Sequence, residues 1–517
     1  MLLDITTHDQ KTVVTLLKAF LPETTIWAFG SRMKFTSKPE SDLDLVAFID
    51  PEQQSQLAEL KDAFAESDLP FKVDVLDWNV IPDNFKENIK KDYVTLQDAS
   101  LELPLNWKNY HLADLIQVKH GYAFKGEFFS DTPTKNVLLT PGNFKIGGGF
   151  KNAKFKFYKG SYPIKYILSE NDLVVTMTDL SKAGDTLGYS AKIPTEKGVN
   201  YLHNQRIGLV ELKTNDIDKD FLYWVLRTQL YHHYILGSST GSTVKHTSPT
   251  KIYNYKFSAP SSRIEQQAIA NILSSLDNKI DVNQQITQSL EKIAQNVFKE
   301  WFIKFNFPGF DGFFVDELPK GWRKSKLGEV VEVKGGGTPS TSNNDYWNGN
   351  IFWTTPKDLS DNKSHVLLST ERKITKAGLQ QISSGILPKG TLLLSSRAPI
   401  GYLAISQVPV AINQGYIAIQ GKTVSNYFML YWLIQNMDSI KGRANGSTFQ
   451  EISKSNFKDI DIVIPDSKTL KNFDNIATSI FCKIVTNEIE NENLSELRDS
   501  LLPKLMDGKI QISDGLD

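Results

Sequence analysis

Three aspartates and a glycine–serine pair in the first hundred residues have the types and spacing needed to handle a nucleoside triphosphate. Asp42 and Asp44 lie two residues apart, so on one strand their side chains point to the same face and can share a divalent cation. Asp74, in a later apolar run, can complete the carboxylate cluster from a neighbouring strand. The Gly30–Ser31 turn ahead of them can offer backbone N–H groups and a hydroxyl to phosphates. Carboxylates that hold Mg²⁺ against phosphates are one route to in-line nucleotidyl transfer, and the sequence predicts that chemistry here.

Behind this acidic head the chain contains an internal repeat. The motif Leu-Pro-x-x-Trp at 103–107 recurs at 318–322, an offset of 215 residues, and later matches keep the same order while the offset shrinks to 204. A shrinking offset is expected where loops gain or lose residues, so the sequence predicts two copies of one module of about 200 residues. The matches include Gly188-Tyr189 with Gly401-Tyr402, Asn204-Gln205 with Asn413-Gln414, and Gly241-Ser242-Thr243 with Gly446-Ser447-Thr448.

Each copy ends in a long segment that is almost free of glycine and proline and is typical of an extended helix. Asn283 and Asn487 take the same polar position in the two segments, where a polar residue fixes register and orientation. A helix of about 40 residues is about 60 Å long, more than a small domain needs. We therefore expect the helices to pair antiparallel with pseudo-twofold symmetry, rather than to cap separate domains. The expected apolar seams contain Ile269, Ile272, Leu276, Ile286, Leu290, Ile293 and Val297, and Phe473, Ile476, Ile480, Leu494, Leu497 and Leu501.

Composition and charge limit the function classes. The 517 residues are 40% hydrophobic and 23% charged, with one cysteine, Cys482, so several globular domains without an internal disulfide are expected. No run is apolar enough for a membrane span, and a cytoplasmic protein is predicted. Residues 1–100 carry 10 Lys and Arg against 18 Asp and Glu, whereas 104–260 carry 20 against 12 and 319–465 carry 17 against 10. Two basic modules indicate a polyanionic partner such as nucleic acid.

The repeated modules resemble the target-recognition domains of type I restriction–modification specificity subunits. The resemblance rests on the Leu-Pro-x-x-Trp openings, the Ser-Ser-Arg-Ala-Pro-Ile-Gly-Tyr phrase at 395–402, the Gly-Ser-Thr loops, and helix phrases at 276–302 and 500–506. It implies a non-catalytic reader of double-stranded DNA in which each domain binds half of a split target. It also implies that the helices set the gap and dock DNA methyltransferase subunits, with a restriction and translocase subunit joining for cleavage. S-adenosylmethionine and ATP would be used by those partners, and the specificity part would need no cofactor.

Candidate DNA contacts lie where the two copies differ. Residues shared by both copies cannot encode two different half-sites, so Trp107 and Trp322, the Asn-Gln pairs and the Gly-Ser-Thr loops are expected to be structural. Arg or Lys can bind guanine, and Asn or Gln can bind adenine. The predicted contacts are Lys125, Thr176, Thr178, Lys182, Arg206, Lys245 and His246 in the first copy and Thr338, Asn343, Asn344, Lys357, Ser396 and Arg397 in the second.

The head resembles the minimal nucleotidyltransferase fold. Its Gly-Ser pair, the eleven-residue step from Ser31 to Asp42, and the later Asp44 and Asp74 match that signature. The resemblance implies that Gly30 and Ser31 contact a nucleoside triphosphate. It also implies that the three aspartates bind Mg²⁺, with Asp74 as the general base if the head is active.

The sequence thus predicts a multidomain α+β protein. The expected domains are a nucleotidyltransferase-like α/β head at 1–98, recognition domains at 103–260 and 318–465, and helices at 261–308 and 466–508. The favoured function is that of a DNA specificity subunit in host defence, because this interpretation uses most of the chain. The alternative is a Mg²⁺-dependent nucleotidyltransferase, using ATP or a similar nucleotide, that the DNA-binding modules target. Phe35, where the family commonly has glycine, bears on whether the head is an enzyme.

Overall fold

The structure, a computed structural model, describes residues 3–33, 37–38, 41–97, 106–153, 155–241, 243–360, 362, 364–445 and 450–512. It divides into two compact units, residues 1–275 with 498–517, and residues 276–497. Phe35, the Leu103-Pro104 pair, Ser242 and the loop at 446–448 lie outside the described residues. Within the described ranges, no helix is both long enough and apolar enough to cross a membrane.

The head is a four-stranded sheet packed against helices. Its sheet order is β3-β2-β1-β4, with β2 and β3 parallel and the other pairs antiparallel. Along β2, Leu43 and Leu45 are buried in the core while Asp44 between them stays half-buried on the other face. The elements are α1 (Thr7–Phe20), β1 (Ile26–Phe29), β2 (Leu43–Ala47), α2 (Gln54–Ala65), β3 (Val73–Asp77), α3 (Asp83–Lys91) and β4 (Val94–Gln97).

The first copy is built from short strands around a four-stranded sheet of order β13-β11-β15-β6 and a five-stranded sheet of order β10-β14-β8-β9-β7, with β5 pairing β17. Its elements are β5 (Trp107–His111), α4 (Leu112–Leu115), β6 (Ile116–His120), β7 (Phe129–Ser130), β8 (Asn136–Leu138), β9 (Lys156–Tyr158), β10 (Ile167–Leu168), β11 (Leu173–Thr176), β12 (Thr178–Asp179), β13 (Ser190–Lys192), β14 (Asn200–Leu202), β15 (Ile207–Leu212), α5 (Lys219–Val225), α6 (Gln229–Gly237), β16 (Lys245–His246), α7 (Pro249–Tyr253), β17 (Lys256–Pro260) and α8 (Arg263–Phe302).

The second copy repeats this core, since β26-β25-β28-β21 follows the order of the first copy's four-stranded sheet and β20 pairs β29 as β5 pairs β17. Trp107 and Trp322, which open the two copies, are each 8% exposed. The elements are β18 (Phe314–Val315), β19 (Leu318–Pro319), β20 (Arg323–Lys326), α9 (Leu327–Val330), β21 (Val331–Gly335), β22 (Trp347–Thr354), β23 (Val366–Leu367), β24 (Arg372–Ile374), α10 (Lys376–Leu379), β25 (Leu392–Ser395), β26 (Leu403–Ser406), β27 (Val410–Ile412), β28 (Tyr416–Gly421), α11 (Asn426–Gln435), α12 (Met437–Gly442), α13 (Lys454–Lys458), β29 (Asp461–Ile464) and α14 (Ser467–Met506).

The two long helices, α8 and α14, each contain 40 residues. Asn283 and Asn487 are both buried, at 1% and 0% exposure. Asn283 donates hydrogen bonds to Glu490 at 2.9 Å and to Asn491 at 3.1 Å. Asn487 donates to the Thr287 hydroxyl at 3.4 Å. The matched asparagines therefore make polar contacts that link the two helices within the second unit.

The expected apolar seam of α8 is wrong in its central part. Ile286 and Ile293 are 37% and 50% exposed, whereas Thr287 and Glu291, one turn apart, are each 5% exposed. The buried stripe therefore lies beside the one that the isoleucines predict. Polar residues are tolerated in it because they have polar neighbours, and His365 Nδ1 lies 3.3 Å from Glu291 Oε1.

Candidate functional site

The sheet of the head brings the predicted carboxylates to one place. Asp44 and Asp74 are direct neighbours across the parallel strands β2 and β3, and Asp42 lies just before β2. Gly30 follows β1 directly and has φ +85°, and a Cβ atom there would collide with the Asp44 carboxylate. Only glycine fits both this backbone conformation and this close approach. The backbone at Gly30 therefore lies directly against the Asp44 carboxylate.

The electrostatics of this cluster favour a bound cation. Burial raises the pKa of Asp44, the charges of Asp74 and Asp42 raise it further, and Lys72 opposes the shift. Lys72 Nζ lies 2.6 Å from Asp74 Oδ1, and this hydrogen bond raises the pKa of Lys72. A cation bound beside Asp44 would offset the repulsion that the neighbouring carboxylates exert on it.

The donor set fits a hard divalent cation. The side chains of Asp42, Asp44 and Asp74 supply only carboxylate oxygens, which Mg²⁺ prefers, and such an ion would neutralise phosphate charge during nucleotidyl transfer. In the part of the chain that the structure describes, no three acidic, histidine or cysteine side chains are already grouped as a metal site. Because Lys72 is paired with Asp74, a cation that uses Asp74 must displace this ammonium.

Arg32 is a supporting residue that the sequence interpretation missed. Its side chain is 5% exposed and donates hydrogen bonds to the Ser41 carbonyl at 2.8 Å and the Asp4 carbonyl at 3.0 Å. Its guanidinium also lies 4.0 Å from the ring centre of Phe71. Arg32 thus ties the glycine–serine turn to the residue that precedes Asp42. A charged residue directly after the motif was the available signal.

In the first copy, four separate segments meet beyond the end of β11. Met177 N–H donates to the Arg206 carbonyl at 2.8 Å, and Thr247 N–H donates to the Met177 carbonyl at 3.0 Å. Tyr122 N–H donates to the His203 carbonyl at 2.8 Å. We call these joined segments the loop edge of the first copy; its described part comprises residues 122–128, 176–186, 203–206, 240–241 and 243–247.

The second copy builds a loop edge with the same backbone bonds. Ser396 N–H donates to the Gly415 carbonyl at 2.8 Å, and Ile452 N–H donates to the Ser396 carbonyl at 3.1 Å. Gly337 N–H donates to the Ile412 carbonyl at 3.0 Å. The described part of this edge comprises residues 337–346, 395–401, 412–415, 445 and 450–452. Equivalent backbone atoms are therefore joined in both copies although the side chains differ.

The shared residues near these edges are structural in the way that the repeat predicts. Asn204 Oδ1 accepts a hydrogen bond from Arg206 N–H at 3.0 Å, and Asn413 Oδ1 accepts one from Gly415 N–H at 2.9 Å. Both asparagines thus form the same turn. Gly121 is a second shared feature: a Cβ there would collide with the 203–204 backbone, as one at the equivalent Gly336 would with 412–413.

Three predicted DNA contacts are buried, so their side chains support loops instead of facing solvent. Thr176 and Ser396 are 0% and 3% exposed, and Thr178 is 6% exposed. Thr176 Oγ1 donates to the Thr186 carbonyl, and Thr178 Oγ1 lies 3.2 Å from His246 Nδ1. Residue type alone could not distinguish these threonines and serine from surface ones, because their burial depends on how the chain packs where β11 and β25 end.

The remaining predicted contacts lie at or near the surface, and several have carboxylate partners. Lys357 Nζ lies 3.0 Å from Glu371, Arg397 lies 3.7 Å from Glu451, and Lys125 lies 4.0 Å from Glu127. Thr338 donates to Gln414 at 2.5 Å, and Asn343 accepts from the Asp345 N–H at 3.0 Å. The exposed side chains are Lys125, Lys182, Arg206, His246, Thr338, Asn344 and Lys357, with Asn343, Lys245 and Arg397 partly exposed.

Asp179 holds the loop that carries Lys182. Its carboxylate accepts hydrogen bonds from the N–H of Ser181 at 2.7 Å and from the N–H and hydroxyl of Thr186, both at 2.6 Å. Burial acts to raise the pKa of Asp179, but the bonds from Thr186 and Ser181 outweigh it, and the pKa is lowered. The ionised carboxylate therefore fixes the loop backbone and leaves Lys182 exposed.

The repeated copies and the head each match a known protein family. Residues 104–292 and 319–498 match the type I restriction modification DNA specificity domain. Residues 13–100 match the polymerase beta nucleotidyltransferase family. The structure of the type I restriction–modification S subunit from M. genitalium aligns with 79% of this chain and 98% of its own, at 16% identity and a TM-score of 0.49.

Individual relatives agree with these family matches. The chain is 37% identical over 188 residues to the MjaIX specificity subunit of Methanocaldococcus jannaschii, covering 35% of this chain but only 43% of that protein. It is 25% identical over 377 residues to the HindI specificity subunit of Haemophilus influenzae, covering 60% and 82%. It is 48% identical over 98 residues to the probable protein adenylyltransferase MntA of H. influenzae, covering 19% and 85%. Because the specificity family matches both copies, and so more than half of the sequence, the chain belongs to the type I restriction–modification DNA specificity family, with a nucleotidyltransferase domain ahead of the repeats.

Proposed function

We propose that this chain reads a bipartite sequence in double-stranded DNA, with one half-site bound at the loop edge of each copy. One observation carries the proposal: the same backbone bonds join four segments in both copies, and the side chains displayed there differ. Met177, Arg206 and Thr247 in the first copy take the places of Ser396, Gly415 and Ile452 in the second. A constant framework with variable polar side chains suits two readers of different sequences.

The exposed cations are the best candidates for contact with DNA. Lys125, Lys182, Arg206 and Arg397 would bind phosphates or guanine edges, and Asn343 and Asn344 offer amide groups for adenine. The buried threonines and Ser396 would position these groups instead of touching bases. The proposed domains are the head at 1–98, the recognition domains at 103–260 and 318–465, and the helices at 261–308 and 466–508.

We propose further that α8 and α14 form an antiparallel coiled coil with pseudo-twofold symmetry. The contacts that support this run in opposite directions, because Asn283 meets Asn491 whereas Phe298 meets Phe473, with ring centroids 5.7 Å apart. In this role the helices would fix the gap between half-sites. They would also bind DNA methyltransferase subunits, to which a restriction and translocase subunit is added for cleavage.

Methylome sequencing of strains with and without the gene tests this function. The expected result is a methylated motif of two short halves with a fixed gap, present only with the gene. A methylome that does not change, together with failure to co-purify a methyltransferase, would contradict the proposal.

A second function is proposed for the head, favoured by the packing of Gly30 against Asp44. ATP phosphates would contact Gly30 and Ser31, an acceptor hydroxyl would attack the α-phosphorus with loss of pyrophosphate, and Asp74 would take the hydroxyl proton. Label from α-³²P-ATP should enter a protein or RNA acceptor in the presence of Mg²⁺. Asp42→Ala and Asp44→Ala should abolish this transfer, and Asp68→Ala, an exposed head carboxylate, should not. Nucleotide transfer that persists in both Asp42→Ala and Asp44→Ala would contradict this proposed function.

A further inference from the structure

The head and the first copy share an apolar interface inside the first compact unit. Phe20 of α1 packs against Tyr234 of α6, with ring centroids 5.6 Å apart. Gly237, which ends α6, lies so close to Phe20 and Ala63 that a side chain there would meet the head. One buried core cluster contains residues of both domains. The head is therefore packed against the first copy through a shared hydrophobic core.

At the rim of this interface, acidic residues of the head meet lysines of the first copy. Glu66, directly after α2, has its Oε2 3.2 Å from Lys245 Nζ, and the Lys245 side chain is only 17% exposed while that of Glu66 is 62% exposed. Burial raises the pKa of Glu59, two turns earlier, and the charge of Lys251 opposes that shift. Lys245, which the sequence predicts as a DNA contact, is thus paired with a carboxylate of the head.

In the second copy, a cation of the loop edge is paired with a carboxylate of the same copy. Arg397, across from Glu451 in a β-bridge, is paired with that carboxylate at 3.7 Å and stays 38% exposed. The equivalent β-bridge partners in the first copy are Thr178 and His246, so His246 stands where the second copy has Glu451. The carboxylate that faces a loop-edge cation therefore comes from the copy itself in one case and from the head in the other.

We propose that the head competes with DNA at the loop edge of the first copy, with Glu66 holding the Lys245 ammonium that a DNA phosphate would otherwise bind. This inference rests on the proposed DNA-reading function. The head carries 18 Asp and Glu against 10 Lys and Arg, and the first copy carries 12 against 20, so the two domains have opposite net charges. DNA must displace Glu66 to gain this phosphate contact, and each such contact steepens the salt dependence of binding.

The test measures how the affinity of the full-length chain for a fluorescent mixed-sequence DNA duplex changes with salt. Glu66→Gln should bind more tightly than wild type at low salt, and its plot of log affinity against log salt should be steeper by about 0.9. A fourfold rise in salt should then cost the variant about 3.5-fold more affinity than it costs wild type. Adding Lys245→Gln to Glu66→Gln should return the slope to the wild-type value.

The matched control is Glu52→Gln, which removes another exposed carboxylate of the head and should leave the slope unchanged. Equal melting temperatures of wild type and Glu66→Gln will show that the fold is intact. An unchanged slope in Glu66→Gln would overturn the proposal. Weaker binding by that variant would also overturn it, since Glu66 would then position Lys245 for DNA. If wild type binds no duplex at any salt, the proposed function fails and this inference falls with it.

Discussion

The two copies have one backbone framework and two sets of side chains. The turn made by Asn204 in the first copy is made by Asn413 in the second. Next to these turns, Arg206 faces solvent in one copy where Gly415 is buried in the other. Positions that form the backbone bonds are constrained by folding, whereas their exposed neighbours are free to vary. The difference between the copies thus separates residues that build the loop edge from residues that can distinguish DNA sequences.

The largest expected effect is a loss of stability, and it is the same in both copies. Trp107→Ala and Trp322→Ala remove side chains that are each 8% exposed, and truncation of a buried tryptophan costs about 3–5 kcal/mol of unfolding free energy. Urea unfolding followed by peptide-level hydrogen exchange should show that each variant destabilises its own copy. If only one of them does so by more than about 1 kcal/mol, the tryptophans are not equivalent framework residues.

A smaller effect should be confined to one copy. Arg397→Ala is expected to lose about 1–3 kcal/mol of discrimination at one half-site, while recognition of the other half stays unchanged. Methylation rates on duplexes altered in one half at a time measure this loss. Glu451→Gln, which keeps the arginine and removes its partner at 3.7 Å, is the matched control. Uniform weakening on every sequence would assign Arg397 to phosphate instead of a base.

The smallest predicted difference between the copies depends on pH. Burial lowers the pKa of His232 to about 4 and also lowers the pKa of His203 and His233, while the second copy contains one histidine, His365. Below pH 6.5 the unfolded first copy therefore binds more protons than the folded one. The free energy of unfolding of this copy falls as the pH drops from 6.5 towards about 4. The protonation of His232 in the unfolded state accounts for a loss of about 1.4 kcal/mol of unfolding free energy at about pH 5.5.

Hydrogen exchange at neutral and mildly acidic pH checks this difference. Peptides of the first copy should lose protection on acidification more than those of the second. His232→Gln, which can keep a hydrogen bond to the Leu187 carbonyl at the place where His232 Nδ1 lies 2.9 Å away, should reduce the change. Equal losses in both copies would show that the buried histidines do not control it.

The repeat and the head cluster were predictable because both depend on spacing along the chain. Matched phrases located the two copies, and the step from Ser31 to Asp42 located the carboxylates. The burial of Thr176 and Ser396 was not predictable, because it depends on where a strand ends against its neighbours. The engagement of Lys245 was also hidden, since its partner, Glu66, is 179 residues away. Charge on a single segment does not reveal which other domain will cover it.

The close approach of Gly30 to Asp44 means that the chemistry proposed for the head can be lost by a single mutation. Any other side chain at that position would push the carboxylate away, and one nucleotide change converts a glycine codon to one for alanine. The atoms nearest to such a side chain all belong to Asp44. A single substitution can therefore end the nucleotidyl transfer proposed for the head, so relatives whose heads transfer no nucleotide are to be expected.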